Sequence, residues 1–209
     1  MENADFDRAL IGAAFALAAE RGWRAVTVAE AARRADLPLD RARRRFPARG
    51  AILWRFGRMA DEAALALTPK EGPHRDRLFD LLMRRFDVLQ AHRAGVLALM
   101  RAIPADPRLA LFLSMTTERS MRWMLEAADI STAGLLGKLR RKGLLGVWLA
   151  TLRAWREDSS EDLAGTMAAL DRALAQAERV DGWLTGRRSA PQQPPPVADE
   201  GIAPEAPAA

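Results

Sequence analysis

The stretch that decides the fold is Thr27-Val28-Ala29-Glu30-Ala31-Ala32-Arg33-Arg34-Ala35-Asp36-Leu37-Pro38-Leu39-Asp40-Arg41-Ala42-Arg43-Arg44-Arg45-Phe46-Pro47. It opens on a capping box: the Thr27 oxygen can accept from the third amide of a helix, while Glu30 reaches back to the Thr27 amide. The spacing predicts a short helix to about Ala35, broken by Asp36-Leu37-Pro38. Pro38 suits the first turn of the next helix, because its missing N–H would be unpaired there anyway. That second helix runs through Leu39–Phe46 and stops before Pro47. Two short helices around a tight break, packed on a longer one, make a helix-turn-helix, whose second helix can enter a major groove. The local charge agrees. Between Arg33 and Arg58 nine arginines stand against only Asp36 and Asp40, so this window is +7 in a chain whose net charge is +5. A basic cluster of that kind is the footprint expected for phosphate backbones. Lysine occurs only at Lys70, Lys138 and Lys142, so the clustering carries the signal rather than arginine as a residue type. The competing reading is a solvated helix face.

Working outward, Phe6, Leu10, Ala13, Ala14 and Leu17 repeat at helical spacing, with Asn3 or Asp5 as caps and Gly22 as the stop, which predicts a helix over roughly 5–21. Ile52, Leu53, Phe56, Ala60, Ala63 and Leu67 share one side of a helix from Ala51 to about Leu67. Thr68–Pro73 reads as a loop and a domain boundary. Beyond it, Leu78, Leu81, Leu82, Phe86 and Leu89 mark a helix, a second covers about Ala94–Ala102, and Asp106-Pro107 opens a third that reaches Glu126. Ala128–Thr132 is a polar break. Two long helices at about 132–156 and 160–179 follow, the second capped by Ser159-Ser160-Glu161-Asp162. No run alternates with period two for long enough to be a strand. The expected fold is all-α with about nine helices: a helix-turn-helix head over 1–67, a helical ligand-binding and dimerisation domain over 74–188, and a Pro-rich tail over 189–209 too poor in apolar residues to order itself.

Composition removes several kinds of chemistry. With no Cys there are no disulfides, thiolate nucleophiles or Cys-ligated metals, a usage that fits a reducing cytoplasm. Only His74 and His92 are present and Tyr is absent, so histidine-rich metal sites and His-dependent catalysis are not expected. No Gly-rich phosphate loop, nucleophile elbow or metal-ligand spacing occurs. The acidic start lacks the order of a signal peptide, and the longest apolar stretch, Leu144–Leu152, falls well short of the roughly 20 residues that span a bilayer. A non-enzyme without cofactor or metal, and without stable membrane insertion, is the expectation.

Residues 6–53 resemble the N-terminal domain of the TetR family of transcriptional regulators. The resemblance is carried in register by Ala13-Ala14-Phe15-Ala16-Leu17, Ala19-Glu20-Arg21-Gly22-Trp23, Thr27-Val28, Ala31-Ala32-Arg33-Arg34-Ala35 and Phe46-Pro47-Ala48-Arg49. It implies a homodimer that binds a double-stranded DNA operator. The DNA contacts are expected at Thr27, Arg33, Arg34, Leu39, Arg41, Arg43, Arg44, Arg45 and Arg49; by their chemistry Arg43–Arg45 suit phosphates, and Arg41 and Arg43 suit guanines. The chain departs from the family pattern at Asp36, where Gly is usual. It also has Arg43 and Arg45 where a Tyr pair is usual, and Ala48-Arg49-Gly50 where Ser-Lys-Glu opens the next helix.

Residues 75–180 show a second resemblance, to the TetR-like lipid-binding protein of ubiquinone biosynthesis, through Ala128-Asp129-Ile130-Ser131-Thr132, Leu139-Arg140-Arg141, Asp158-Ser159-Ser160, Thr166 and Leu170-Asp171-Arg172. It implies an apolar small-molecule or lipid ligand and sets the alternative to a DNA-binding regulator: an isoprenoid- or quinone-binding protein of ubiquinone biosynthesis that keeps the fold without specific DNA reading. Met115, Trp123, Met124, Trp148 and Trp155 are the candidate pocket residues, since Met and aromatics fit irregular cavities; plain core packing is the alternative. Leu149, Leu152, Leu163, Met167, Leu170 and Leu174 are spaced for burial at a four-helix dimer seam. Gly134, Gly137, Gly143 and Gly146 on one helix suit either a close helix approach or a bend.

Overall fold

A computed structural model describes residues 1–67 and 71–184; the predicted tail over 189–209 lies outside the described residues. Among them are nine α-helices and no strand: α1 (Asn3–Arg21), α2 (Val28–Arg34), α3 (Leu39–Arg45), α4 (Arg49–Leu65), α5 (His74–Ala91), α6 (Arg93–Ala102), α7 (Pro107–Ala127), α8 (Gly134–Glu157) and α9 (Ala164–Leu184). Short 3-10 turns at Trp23–Ala25 and Ile103–Ala105 complete the chain path.

α1 is the axle of the head. It buries Phe6, Leu10, Ile11, Ala14, Phe15, Leu17 and Ala18, an arc wider than an ordinary amphipathic face, because α2, α4 and α6 all pack on it. It starts on Glu2 without a side-chain cap; Asn3, expected as a cap, instead accepts a hydrogen bond from Arg41 on α3. Gly22 ends it at φ +82°. Thr27 caps α2 by accepting from the Glu30 amide at 3.2 Å. The reciprocal arm differs from expectation: the Glu30 carboxylate accepts hydrogen bonds from the Thr27 hydroxyl and from Arg21. Asp36 makes the break at φ +51°, a left-handed turn that Asp tolerates better than most side chains.

The head is not an independent unit of packing. One apolar core runs from Phe6 in α1 to Leu174 in α9. At its waist the Phe15 ring meets Phe56 of α4 at 4.4 Å and stacks on His92 at 5.6 Å. Burial there disfavours the charged imidazole and lowers the His92 pKa. Gly95 on α6 lies against the α1 backbone so closely that a Cβ would stand 2.3 Å from the Phe15 carbonyl oxygen, which is why the position holds glycine.

In the body, α5 buries Leu78, Leu81, Leu82, Phe86 and Leu89 among α4, α7 and α9, and Phe86 stacks on Trp148 of α8 at 4.5 Å. α8 and α9 form a hairpin. α9 begins at Ala164, four residues later than its Ser-Ser-Glu-Asp signal suggests. Asp158 is the reason. Its carboxylate accepts from the Ser160 hydroxyl and amide and from the Thr166 hydroxyl and amide, so the chain between loops out before the helix starts, with Leu163 at φ +57°. Those four hydrogen bonds hold the Asp158 pKa well below the usual carboxylate range.

The four glycines of α8 separate by role. Gly134 takes φ +66°, and Gly137 has the Thr132 backbone against it, 2.1 Å from where a Cβ would stand. Gly143 and Gly146 face open space. No described helix is long and apolar enough to cross a membrane.

Candidate nucleic-acid interface and internal cavity

α3 is amphipathic with a short apolar side. Ala42 and the capping Phe46 are buried, which turns Leu39, Asp40, Arg43 and Arg44 outward. Thr27 and Arg33 of the preceding helix are exposed as well. Arg33 has no side-chain partner among the described residues; Arg43 donates to the Pro47 carbonyl at 2.9 Å, and Arg44 pairs with Asp40 one turn back at 2.7 Å. Thr27, Arg33, Leu39, Arg43 and Arg44 therefore remain at the surface.

The other four arginines expected to contact DNA are turned inward or neutralised. Arg34 makes a two-pronged ion pair with Glu20 of α1, at 2.8 and 2.6 Å. Arg41 lies over the Phe6 ring at 4.5 Å and donates to the Met1 carbonyl and Asn3 Oδ1. Arg45 grips Asp7 of α1 through Nε and Nη2, both at 2.7 Å, and Arg55 of α4 reaches the same carboxylate at 2.8 Å. Asp7 raises the Arg45 pKa by accepting those bonds. Arg49 donates to the Trp23 and Arg24 carbonyls, tying α4 to the turn after α1. For Arg45 and Arg34 the physical reason is that α1 brings Asp7 and Glu20 against a window that looks almost free of acids in the linear sequence; Arg41 and Arg49 are held by backbone carbonyls instead. Over residues 1–67 twelve arginines stand against nine acids, so the head as a whole carries +3 although its 33–58 window alone is +7. Nothing in the sequence marked Asp7 or Glu20 as partners, because the pairs span 38 and 14 positions. Arg24 was also passed over; it donates to the Ala105 carbonyl at 2.6 Å and links the head to the turn before α7.

Below the head, a cavity of about 620 Å³ lies between α4, α5, α6, α7 and α8. Of the five expected pocket residues, Trp123 and Trp148 line it and the others do not. Met115 is 65% exposed on the outside of α7. Met124, one position past Trp123, is rotated about 100° round the helix into the closed core. Trp155 is also fully buried and donates its Nε1 proton to Gln90. The polar residues of the cavity were missed. Arg85 of α5 pairs with Asp61 of α4, the Ser120 hydroxyl of α7 donates to the other Asp61 oxygen at 2.7 Å, and the guanidinium lies 4.9 Å from the Trp148 ring centroid. Burial pulls the Arg85 pKa down to about 10, which still leaves it cationic at neutral pH. The one signal in the sequence was position: Arg85 falls at helical spacing on the stripe of Leu78, Leu81, Leu82 and Leu89, on a helix that also carries Arg75, Arg77 and Arg84.

The outer side of the α8–α9 hairpin exposes Leu135, Leu139, Gly143, Gly146, Leu149 and Ala150 on α8, and Ala164, Gly165 and Ala168 on α9. Of the residues expected at a seam, Leu163, Leu170 and Leu174 are buried within the chain, Leu152 is half-buried and lines the cavity, Met167 is half-buried, and Leu149 is exposed.

No protein-family model matches the chain, and no curated protein matches it. Solved structures do. A TetR transcriptional regulator from Nitrosomonas europaea ATCC 19718 superposes with a TM-score of 0.67 at 24% identity, over 84% of this chain and 99% of that one. A TetR-family transcriptional regulator from Streptomyces coelicolor follows at 0.59 and 21%, over 88% and 85%, and a TetR transcriptional regulator from Rhodococcus sp. RHA1 at 0.54 and 18%, over 85% and 97%. None of the three is described as a lipid-binding protein of quinone biosynthesis, so the second resemblance gains no support. The likeness runs through head and body alike, and the chain has the fold of TetR-type regulators.

Proposed function

We propose that this protein is a non-catalytic, cytoplasmic DNA-binding transcriptional regulator of the TetR type, working as a homodimer and responding to a ligand in the α4–α8 cavity. The observation that carries the reading is the outward face of α3, where Leu39, Arg43 and Arg44 stand free of the core while Ala42 and Phe46 anchor the helix to the head. A helix presented in that way can enter a major groove, with Thr27 and Arg33 placed for flanking phosphates. Reading by bases falls to Arg43, because Arg41 is held by the N-terminus. The exposed Gly143–Gly146 strip of α8 permits close approach of a second copy, and the two-fold that follows would set two heads on a near-palindromic site. The waist at Phe15, His92 and Gly95 and the Arg24 link are the mechanical route from cavity to head: a ligand that prefers one arrangement of α6 and α7 shifts the separation of the heads by its differential affinity. The fold, shared with three transcriptional regulators, supports the same reading.

The test is selection of duplexes from a random pool, followed by anisotropy titration of the enriched sequence over a range of salt. A near-palindromic site with half-sites about one helical turn apart, and affinity falling steeply with salt, is the expected result. Failure to retain any duplex at low salt refutes it.

A further inference from the structure

The cavity wall holds one group that its neighbours leave half-used. Arg85 is buried to within 5% of its side-chain surface, and three other helices converge on it: Asp61 from α4 meets Nη1, Ser120 from α7 donates to Asp61, and Trp148 from α8 lies along the guanidinium. Nε is buried without an acceptor, and Nη2 makes no hydrogen bond or ion pair among the described residues. Those two nitrogens form the side-on edge of the fork, and elsewhere in this molecule the same edge holds a carboxylate two-pronged: Arg45 on Asp7 at 2.7 and 2.7 Å, and Arg140 on Asp181 at 2.7 and 2.9 Å. A buried guanidinium left with unpaired donors is costly, and such groups are satisfied by a partner or a ligand. The charge count points the same way. The residues around the cavity include Arg58, Arg85 and Arg119 against Asp61 and Glu62. Arg58 pairs with Glu62 and Arg85 with Asp61, which leaves Arg119 without a partner among the described residues and the lining at +1. The rest of the wall is apolar, with Leu99, Leu113 and Leu152 among its members.

We propose that the cavity binds an amphipathic monocarboxylate, its apolar body along the leucine wall and its carboxylate on the free Nε–Nη2 edge of Arg85. The inference rests on reading this cavity as the ligand site of the regulator, and it adds the chemical class. A single negative charge neutralises the lining, and the guanidinium plane fixes the headgroup in a way that a point charge would not. A neutral ligand of the same shape leaves the edge unpaired, and a cation meets Arg85 head-on.

Calorimetric titration of the full chain with decanoate, methyl decanoate and decylammonium, each far below its micelle concentration, tests this. Decanoate is expected to bind at least tenfold tighter than its methyl ester, and decylammonium weakest. The double substitution Asp61→Asn with Arg85→Met removes the pair together, so no lone buried charge remains, and is expected to bring decanoate and ester to within about threefold of each other. The wild-type comparison stands even if that variant does not fold. Equal or tighter binding of the ester, tightest binding of decylammonium, absence of binding by all three, or a preference for decanoate that survives in a folded double variant would each overturn the proposal. Duplex binding without any ligand is read separately: a protein that binds DNA and ignores decanoate refutes the ligand class alone, and one that takes decanoate but no DNA refutes the regulator reading alone.

Discussion

Arg44 and Arg45 are neighbours in sequence and opposites in the structure, and substituting each to alanine separates DNA contact from scaffold. Arg45 and Asp7 share two charge-assisted hydrogen bonds, with side chains 21% and 18% exposed. A fully exposed pair contributes about 0–1 kcal/mol, while loss of one partner from a buried pair costs about 3–5. A pair one-fifth exposed lies between. Arg55 still holds Asp7 after the substitution, so the carboxylate is not abandoned. The expected loss for Arg45→Ala is about 2 kcal/mol, which for a chain of this size lowers Tm by roughly 4–8 °C. Arg44 pairs only with the exposed Asp40 on its own helix, so Arg44→Ala leaves Tm nearly unchanged. Duplex binding inverts the order. Losing one phosphate contact at Arg44 lowers the slope of log affinity against log salt by about 1 and weakens all sequences alike. Arg45→Ala, measured well below its Tm, keeps the wild-type slope. Thermal melts and anisotropy titrations at four or five salt concentrations read both quantities. If Arg45→Ala reduces the slope as Arg44→Ala does and leaves Tm unmoved, Arg45 abandons Asp7 for DNA, and the separation argued from the ion pairs is wrong.

Three further outcomes are expected. Gly95→Ala drives a Cβ into the Phe15 carbonyl and costs about 3 kcal/mol, a Tm fall of roughly 6–12 °C, whereas Gly57→Ala, with nothing near its Cβ, leaves Tm the same or higher; equal effects would dismiss the close approach of α1 and α6. Asp158 has a depressed pKa when folded, so its contribution is complete above the ordinary carboxylate value of about 4 and drains away as pH falls through the lower folded value; Asp158→Asn, which cannot titrate, should show a shallower loss of Tm on the acid side of pH 4, and an identical acid profile would count against the network. Light scattering at micromolar concentration should report a dimer that Gly146→Arg converts to a folded monomer, since that glycine faces open space within the chain; a wild-type monomer removes the seam.

Local signals carried most of the fold. The Thr27 cap, the Asp36 turn and Pro38 each act within four residues, and the helix-turn-helix formed where they placed it. Helical periodicity likewise marked the buried faces of α1 and α5 and of α4 as far as Ala60, because burial repeats at the pitch of the helix itself; further along α4, Ala63 and Leu67 were expected on that face but are exposed, and Ala64 is buried instead. Which arginines face outward was a different kind of question. The answer depended on Asp7 and Glu20, which sit on the far side of a chain reversal, and a linear charge window cannot count neighbours that arrive by folding. The cavity shows the same division. The apolar inventory of α7 and α8 was evident, yet a step of one residue round α7 sends Trp123 to the cavity and Met124 to the core, and only the packing of five helices decides which is which. Arg85 lay unnoticed in the heptad-like run of α5, since a buried charge is defined by what surrounds it: Asp61, Ser120 and Trp148 come from three other helices. Sequence alone determined where most helices start, stop and turn, with α9 displaced by the Asp158 network; the tertiary structure decided which charges are spent inside the protein and which are left for a partner, because electrostatic partnership is set by distance in space, not along the chain.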